Sequence, residues 1–243
     1  MRVGSLFTGI GGLDLGLERA GMTITWQVEN DPYCRKVLAT HWPDVPCYGD
    51  IRDVDFTEVE PVDLVCGGFP CQPVSHNGHG AAQDDERWLW PPFARAIRDL
   101  RPFIALMENV AALTFRGLDE VVGDLAEIGY DAEWACIPAS AVGAPHRRAR
   151  MFVVAYPDRV GREAAHRLFL ADPPQHVGEA QPWGPLSGRG ARSGVRPLPD
   201  PGLFRVADGF PSELDAARLK ALGNAVVPQV AECVGRRILE AAA

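Results

Sequence analysis

The sequence predicts an α/β fold: a doubly wound, mostly parallel sheet of the Rossmann-like type that carries a small irregular insertion. Short apolar and β-branched runs alternate with helical segments over the first 156 residues. A glycine-rich turn over residues 8–12 follows the first run and opens the first helical segment. The chain has 243 residues, of which 47% are hydrophobic, so it can bury one core of ordinary size.

The elements follow one another with short connections. Residues 2–7 predict a strand, and the helix over 13–20 ends at Gly21. The strand over 23–28 precedes a helix over 32–41 that Pro32 opens, and a third strand is expected to end near Asp50. The later predictions are strands over 62–66, 103–107, 132–137 and 151–156, helices over 88–100 and 118–128, and terminal helices over 213–222 and from 228 onward.

Composition excludes several classes of protein. No apolar run approaches the roughly 18 residues of a membrane span, and the first residues lack the pattern of a signal peptide. Six cysteines without a CxxC pair indicate reduced thiols and a cytoplasmic protein. Cys66, Cys71, His76 and His79 match no zinc-ligand spacing, so no metal is expected.

Charge is distributed unevenly along the chain, although the net charge is -8. Residues 147–205 contain ten Arg, no Lys and five acids, a balance of +5, which leaves -13 for the remainder. Within this stretch, residues 157–204 hold eight Pro and seven Gly and show no sustained periodicity. A polyanion partner explains the asymmetry, and so does a general use of Arg in place of Lys, because the chain has 22 Arg and two Lys.

The carboxyl edge of the predicted sheet carries a candidate nucleoside site. Glu29 ends the second strand and Asp50 the third, where carboxylates can accept from ribose hydroxyls and an adenine amino group. Asp14 stands where a dinucleotide fingerprint has its third glycine, which disfavours NAD. Either carboxylate alone could be a solvated loop residue, but their common register with the glycine turn favours a nucleoside.

A second candidate site is the loop over residues 67–75, which directly follows a buried strand. Cys71 stands there between Pro70 and Gln72, on a glycine-rich loop at the mouth of the sheet. Most cysteines are structural, but this position suits a thiolate nucleophile.

Five motifs occur in a fixed order, and together they resemble those of the S-adenosylmethionine-dependent DNA (cytosine-5) methyltransferases. They are Phe7-x-Gly-x-Gly11, Pro70-Cys-Gln72, Glu108-Asn-Val110, His146-Arg-Arg-Ala-Arg150 and Gly223-Asn-Ala-Val-Val-Pro228. The resemblance covers about residues 1–156 and 205–235. It implies a catalytic domain that binds S-adenosylmethionine over 1–156, a short target-recognition region over 157–204, and helices over 205–243 that return to the catalytic domain.

The resemblance also implies roles for individual residues. Cys71 adds to carbon-6 of cytosine, and Glu108, directly after strand 103–107, holds the ring at N3. Arg148 and Arg150 complete the catalytic set, with Arg150 at the cytosine O2, while His146 replaces the family's usual Gln. The implied cofactor-binding residues are Phe7, Gly9, Gly11, Glu29, Asp50, Ile51, Pro70, Asn224 and Ala225. The implied DNA contacts are Gln72, Ser75 and Arg87 in or beside a mobile loop over 75–90, and Arg189, Arg192 and Arg196 in the recognition region.

The implied substrate is double-stranded DNA with a flipped cytosine, methylated by a bacterial or phage-encoded monomer beside a cognate restriction endonuclease or alone. A tRNA-directed enzyme of the same fold would share every motif. A non-catalytic DNA-binding module is the alternative from another class, and the intact Cys71, Glu108, Arg148 and Arg150 weigh against it.

Overall fold

The computed structural model describes residues 1–70, 88–115, 117–158 and 212–242, and the side chains of the last range from residue 216. The strands are β1 Arg2–Leu6, β2 Thr23–Val28, β3 Cys47–Tyr48, β4 Leu64–Gly67, β5 Ile104–Val110, β6 Tyr130–Ile137 and β7 Arg150–Pro157. The helices are α1 Gly12–Arg19, α2 Pro32–His41, α3 Trp90–Leu100, α4 Leu118–Glu127, α5 Ser212–Asn224 and α6 Pro228–Ala241. Short 3-10 turns cover Ile51–Asp53, Ala111–Phe115 and Ala139–Val142.

The seven strands form one sheet in the order β3-β2-β1-β4-β5-β7-β6. The pairs among the first five are parallel, whereas β7 runs antiparallel to both β5 and β6. The predicted mostly parallel α/β sheet is therefore confirmed. The chain winds outward from β1 to β3 and then returns to β4 on the other side of β1, so the switch point where such sheets bind ligands lies between β1 and β4.

Helices cover both faces of the sheet, as the alternation of side chains along the strands requires. Val65 belongs to the core that includes α3 and α4, whereas its neighbour Leu64 belongs to the core that includes α1 and α6. At Gly16 of α1, an added Cβ would lie 2.4 Å from the Ala231 Cβ of α6. This close approach brings the chain before α6 beside the glycine turn.

One boundary differs from the sequence prediction in a way that matters for the site. Glu108 does not follow β5 but lies within it, because the strand continues to Val110. The antiparallel partner β7 extends the ladder by pairing Phe152 with Glu108 and Arg150 with Val110. The predicted recognition region begins with Pro157 at the end of β7, and all of it beyond Asp158 lies outside the described residues. Within the described ranges, no helix is long and apolar enough to cross a membrane.

Candidate active site

The glycine turn joins β1 to α1 with three consecutive odd-numbered residues in left-handed conformations. Phe7, Gly9 and Gly11 have φ values of 50°, 59° and 80°. The Gly9 N–H donates to Glu29 Oε2 at 2.7 Å. A Cβ on Gly11 would lie 2.4 Å from the Trp42 ring, so no side chain fits there. The turn therefore keeps its backbone close to the edge of the sheet, where a ligand can approach it.

Asp14, which stands at the position of the third glycine of a dinucleotide fingerprint, has a structural role next to this turn. Its carboxylate is fully buried and accepts from Ser5 Oγ at 2.6 Å and from Gln27 Nε2 at 2.8 Å. Burial raises the pKa of Asp14 to about 6, although both hydrogen bonds oppose the shift. Asp14 thus ties the carboxyl ends of β1 and β2 together.

Glu29 is the fixed acceptor at the end of β2. Its second oxygen, Oε1, accepts from the Asp31 N–H at 2.7 Å, and its side chain lines the cavity described below. An ionised carboxylate offers about four acceptor positions, so two backbone bonds leave capacity for ligand hydroxyls. Asp31 in turn caps α2 by accepting from Tyr33 N and Cys34 N.

Asp50 and Ile51 follow β3, as predicted. Ile51 is buried, and Asp50 accepts from the backbone N–H and the guanidinium of Arg52. Those hydrogen bonds are the main reason that the pKa of Asp50 falls to about 2. Asp50 is therefore an ionised carboxylate, and Arg52 already occupies part of its capacity to accept hydrogen bonds.

A cavity of about 450 Å³ opens at the carboxyl ends of β1, β2, β4 and β5 and is closed on one side by residues 223–226. This volume suits a small-molecule ligand. Ten predicted residues line it: Phe7, Gly9, Glu29, Asp50, Ile51, Pro70, Glu108, Arg150, Asn224 and Ala225. Gly11 and Arg148 are not among the lining residues. Seven predicted residues lie outside the described part of the chain: Cys71, Gln72, Ser75, Arg87, Arg189, Arg192 and Arg196.

Glu108 is a buried carboxyl group beside a cation. Arg150 Nε lies 3.1 Å from Glu108 Oε1, yet this oxygen accepts no hydrogen bond from the described residues. Burial raises the pKa of Glu108 to about 7, against the opposing charges of Arg150 and then Arg148. Near neutral pH the group can therefore exist as an acid that donates a hydrogen bond or as a carboxylate that accepts one.

The loop that leads to Cys71 is fixed to β5 as far as it is described. Asn109 Nδ2 donates to the Phe69 carbonyl at 3.1 Å, and Pro70 lines the cavity. A Cβ on Gly68 would lie 2.8 Å from Glu108 Oε2. Neither Asn109 nor Gly68 was predicted as a site residue, although Asn109 directly follows Glu108 and Gly68 stands in the loop over 67–75 that carries Cys71.

Arg148 contacts the wall of the cavity that residues 223–226 form. Its Nη2 donates to the Gly223 carbonyl at 2.6 Å and to the Ala225 carbonyl at 2.8 Å. Lys220, also unassigned from sequence, lies 3.3 Å from Asp31. No group of three or more His, Cys, Asp or Glu side chains within the described ranges could hold a metal ion.

Comparison with known proteins identifies relatives over the same region. The family model for C-5 cytosine-specific DNA methylase matches residues 1–178. The Type II methyltransferase M.NgoBI of Neisseria gonorrhoeae is 33% identical over 160 residues, which are 64% of this chain and 50% of that protein. The Type II methyltransferase M.PspPI of Psychrobacter sp. (strain TA137) is 37% identical over 157 residues, 61% of this chain and 38% of that protein.

Solved structures show the same fold. One described as a DNA modification methyltransferase encoded within an E. coli prophage has a TM-score of 0.56 and 26% identity, over 66% of this chain and 47% of that one. A Spodoptera frugiperda DNMT2 mutant has a TM-score of 0.52 and 21% identity, over 65% and 50%. This chain thus spans half or less of the length of these four proteins. Since the family model matches residues 1–178 of 243, the chain belongs to the C-5 cytosine-specific DNA methylase family.

Proposed function

We propose that the chain transfers a methyl group from S-adenosylmethionine to carbon-5 of a flipped cytosine in DNA, through a covalent adduct with Cys71. The observation that carries this proposal is the composition of one cavity. Glu29 and Asp50 line the cavity beside the glycine turn, and Glu108 of β5 lines it together with Arg150 of β7. Pro70, the residue before Cys71, also lines it.

The cofactor end fits S-adenosylmethionine in the chemistry of its donors and acceptors. Glu29 retains acceptor capacity for two ribose hydroxyls, and the turn at Gly9 leaves open space where a side chain would stand. Asn224 and Ala225 form the facing wall. When bound, S-adenosylmethionine supplies an electrophilic methyl group on a sulfonium.

The cytosine end needs groups that make the ring accept a thiolate. Glu108, whose pKa is about 7, can donate a hydrogen bond to N3, and the Arg150 guanidinium can donate to O2. Both withdraw electron density from the ring, so the Cys71 thiolate can form a bond to carbon-6. Carbon-5 would then be nucleophilic and could take the methyl group as its bond to the sulfonium sulfur breaks, which leaves S-adenosylhomocysteine. Loss of the carbon-5 proton to water and expulsion of the Cys71 thiolate from carbon-6 would restore the aromatic ring.

The DNA partner follows from the family and from the reaction. A cytosine must leave the stack to reach a cavity at the sheet edge, at a free energy of a few kcal/mol that other contacts offset. The relatives named as Type II methyltransferases support a role beside a restriction endonuclease. We assign the DNA contacts to residues 157–204 and the loop over 75–90, as the sequence implies.

The test is incubation with tritiated S-adenosylmethionine and either duplex DNA or tRNA, followed by bisulfite sequencing. Label in the DNA alone, at carbon-5 of cytosine, supports the proposal, and label in the tRNA alone contradicts it. The sequenced product also identifies the target site.

Cys71→Ser tests the nucleophile in the same assay. We expect it to abolish transfer and leave S-adenosylmethionine binding nearly intact, because thiolate addition and cofactor binding use separate groups. Retention of more than about a tenth of wild-type turnover would contradict a covalent role, because a tenfold loss corresponds to only ~1.4 kcal/mol of activation free energy. Cys136→Ser, which changes an exposed thiol on β6, is the matched control and should keep wild-type turnover.

A further inference from the structure

The two arginines that precede and open β7 occupy different positions relative to the cavity. Arg150 lines it and lies beside Glu108, whereas Arg148 is absent from its lining. A shared motif therefore places one side chain at the proposed cytosine end and directs the other elsewhere. The contacts of Arg148 show where it acts.

Arg148 caps the carboxyl end of α5, although the two segments are 75 residues apart in sequence. The last carbonyls of a helix have no partner within it, and a cation there also meets the negative end of the helix dipole. Arg148 Nη2 satisfies the Gly223 and Ala225 carbonyls at 2.6 and 2.8 Å. These two carbonyls flank Asn224, which lines the cavity.

The backbone at Arg148 departs from the usual conformations of an L residue. Its φ is 26°, and within the described ranges only Phe7 and Arg101 are other non-glycine residues with positive φ. Such a conformation persists where surrounding contacts determine it. The two hydrogen bonds to the end of α5 are contacts of this kind.

The wall formed by residues 223–226 is also held from its other sides. A Cβ on Gly12 would lie 2.4 Å from the Val226 carbonyl oxygen, so this wall packs directly on the start of α1. On α5, Lys220 forms an ion pair with Asp31, the residue that caps α2. Arg148 supplies the contact that comes from the β7 side.

We propose that Arg148 is a positioning residue: it holds Asn224 and Ala225 in place through the end of α5 and thereby sets the affinity for S-adenosylmethionine. This inference rests on the proposed function, because it takes residues 223–226 as the cofactor wall. It replaces the catalytic role that the resemblance implied for Arg148 and leaves that role to Arg150, which lines the cavity beside Glu108. Loss of Arg148 should therefore weaken cofactor binding more than it changes the chemical step, although its charge also acts on Glu108.

The experiment compares Arg148→Met and Arg148→Lys with Arg147→Met as the matched control. Met keeps an unbranched side chain without donors, Lys keeps the charge but falls about one bond short of the two carbonyls, and Arg147 is the exposed neighbour. Calorimetry with S-adenosylmethionine and the full chain, without DNA, gives Kd. Steady-state methylation gives KM for the cofactor and kcat, and circular dichroism confirms folding.

For Arg148→Met we expect Kd and KM for S-adenosylmethionine to rise about tenfold or more, because two charge-assisted hydrogen bonds are lost. The value of kcat at saturating cofactor should stay within about threefold of wild type. Arg148→Lys should fall between Met and wild type, and Arg147→Met should match the wild-type Kd. An unchanged Kd with a lowered kcat would overturn the assignment and place Arg148 at the cytosine.

The Lys variant decides the question if the Met variant does not fold. A Kd raised about two- to tenfold with kcat preserved supports positioning, and a wild-type Kd with reduced kcat overturns it. Failure of the proposed function is distinguishable, since wild-type protein would then neither bind S-adenosylmethionine nor methylate DNA. A wild-type chain that does both while the Met variant keeps its Kd refutes only the role of Arg148.

Discussion

Two features of its surroundings have opposite effects on the pKa of Glu108. The surrounding core of β5 and β7 disfavours the carboxylate, and Arg150 at 3.1 Å favours it. Because the nearer oxygen accepts no hydrogen bond from the described residues, the ion pair compensates only partly for lost hydration. Burial therefore prevails, and the pKa rises to about 7 instead of falling as it does in an exposed ion pair.

This raised pKa makes a prediction for stability. The usual value is 4.5, so the folded state binds more protons than the unfolded state between about pH 4.5 and 7, and Glu108 makes the free energy of unfolding fall as pH rises through that window. Glu108→Gln cannot ionise. Its stability relative to wild type should therefore increase from pH 5 to pH 8, by up to about 3 kcal/mol at 1.36 kcal/mol per pKa unit.

Urea unfolding of both proteins at several pH values measures this difference. Asp14, whose pKa is also raised, is present in both, so its contribution cancels. Glu127→Gln removes an exposed carboxylate on α4 and should follow the wild-type profile. Parallel profiles for Glu108→Gln and wild type would show that burial does not control this group.

At the scale of elements, β4 and β5 place the loop that leads to Cys71 beside Glu108. The two strands are parallel neighbours, so their carboxyl ends meet at one edge of the sheet. Asn109 bonds to the Phe69 carbonyl, while Gly68 lies against the Glu108 carboxylate. The absence of a side chain at residue 68 therefore lets the loop and the acid approach each other closely.

Gly68→Ala should disturb this approach without unfolding the protein. The added Cβ would lie 2.8 Å from Glu108 Oε2, so the carboxylate must move, and a displacement of about 1 Å in a catalytic group can lower the rate on the order of 100-fold. We expect kcat/KM to fall about 10- to 100-fold with an unchanged circular dichroism spectrum.

Gly123→Ala is the matched control, because its Cβ would meet nothing within 4 Å on helix α4. It should preserve activity and add up to about 1 kcal/mol of stability by replacing a helical glycine. Wild-type kcat/KM in Gly68→Ala would mean that Glu108 tolerates displacement or takes no part in the reaction.

Local patterns predicted the elements well where the cause of structure is local. The strand Thr23–Val28 and the helix Pro32–His41 have their predicted bounds, because alternation and a proline at the first helical turn are properties of adjacent residues. The end of β5 differed, since it depends on pairing with β7, about 40 residues further along the chain. The bond from Arg148 to the end of α5 likewise joins distant residues, and no spacing rule within the sequence predicts it.

At the scale of the whole molecule, the distribution of charge along the chain and the chain's length both bear on the proposed recognition of DNA. The chain carries -8 overall but +5 over residues 147–205, and most of that stretch lies outside the described residues. The chain also spans half or less of the length of the four proteins compared with it above. The basic stretch is thus the part of this sequence best suited to phosphate contacts, because each neutralised phosphate releases counterions.

Replacing Arg189, Arg192 and Arg196 together by Ala tests this assignment. Each phosphate contact contributes about -0.9 to the slope of log K against log salt, so the slope should flatten by about one to three units and binding to every sequence should weaken. If one of the three reads a base edge, the slope should fall by less and bisulfite mapping should show relaxed sequence preference at one position.

The control replaces the exposed Arg19, Arg98 and Arg236 by Ala, which removes the same number of positive charges from α1, α3 and α6 and should leave the slope near wild type. An unchanged slope and methylation pattern in the first triple variant would mean that its arginines reflect a general preference for Arg over Lys. DNA recognition would then have to lie in the loop over 75–90.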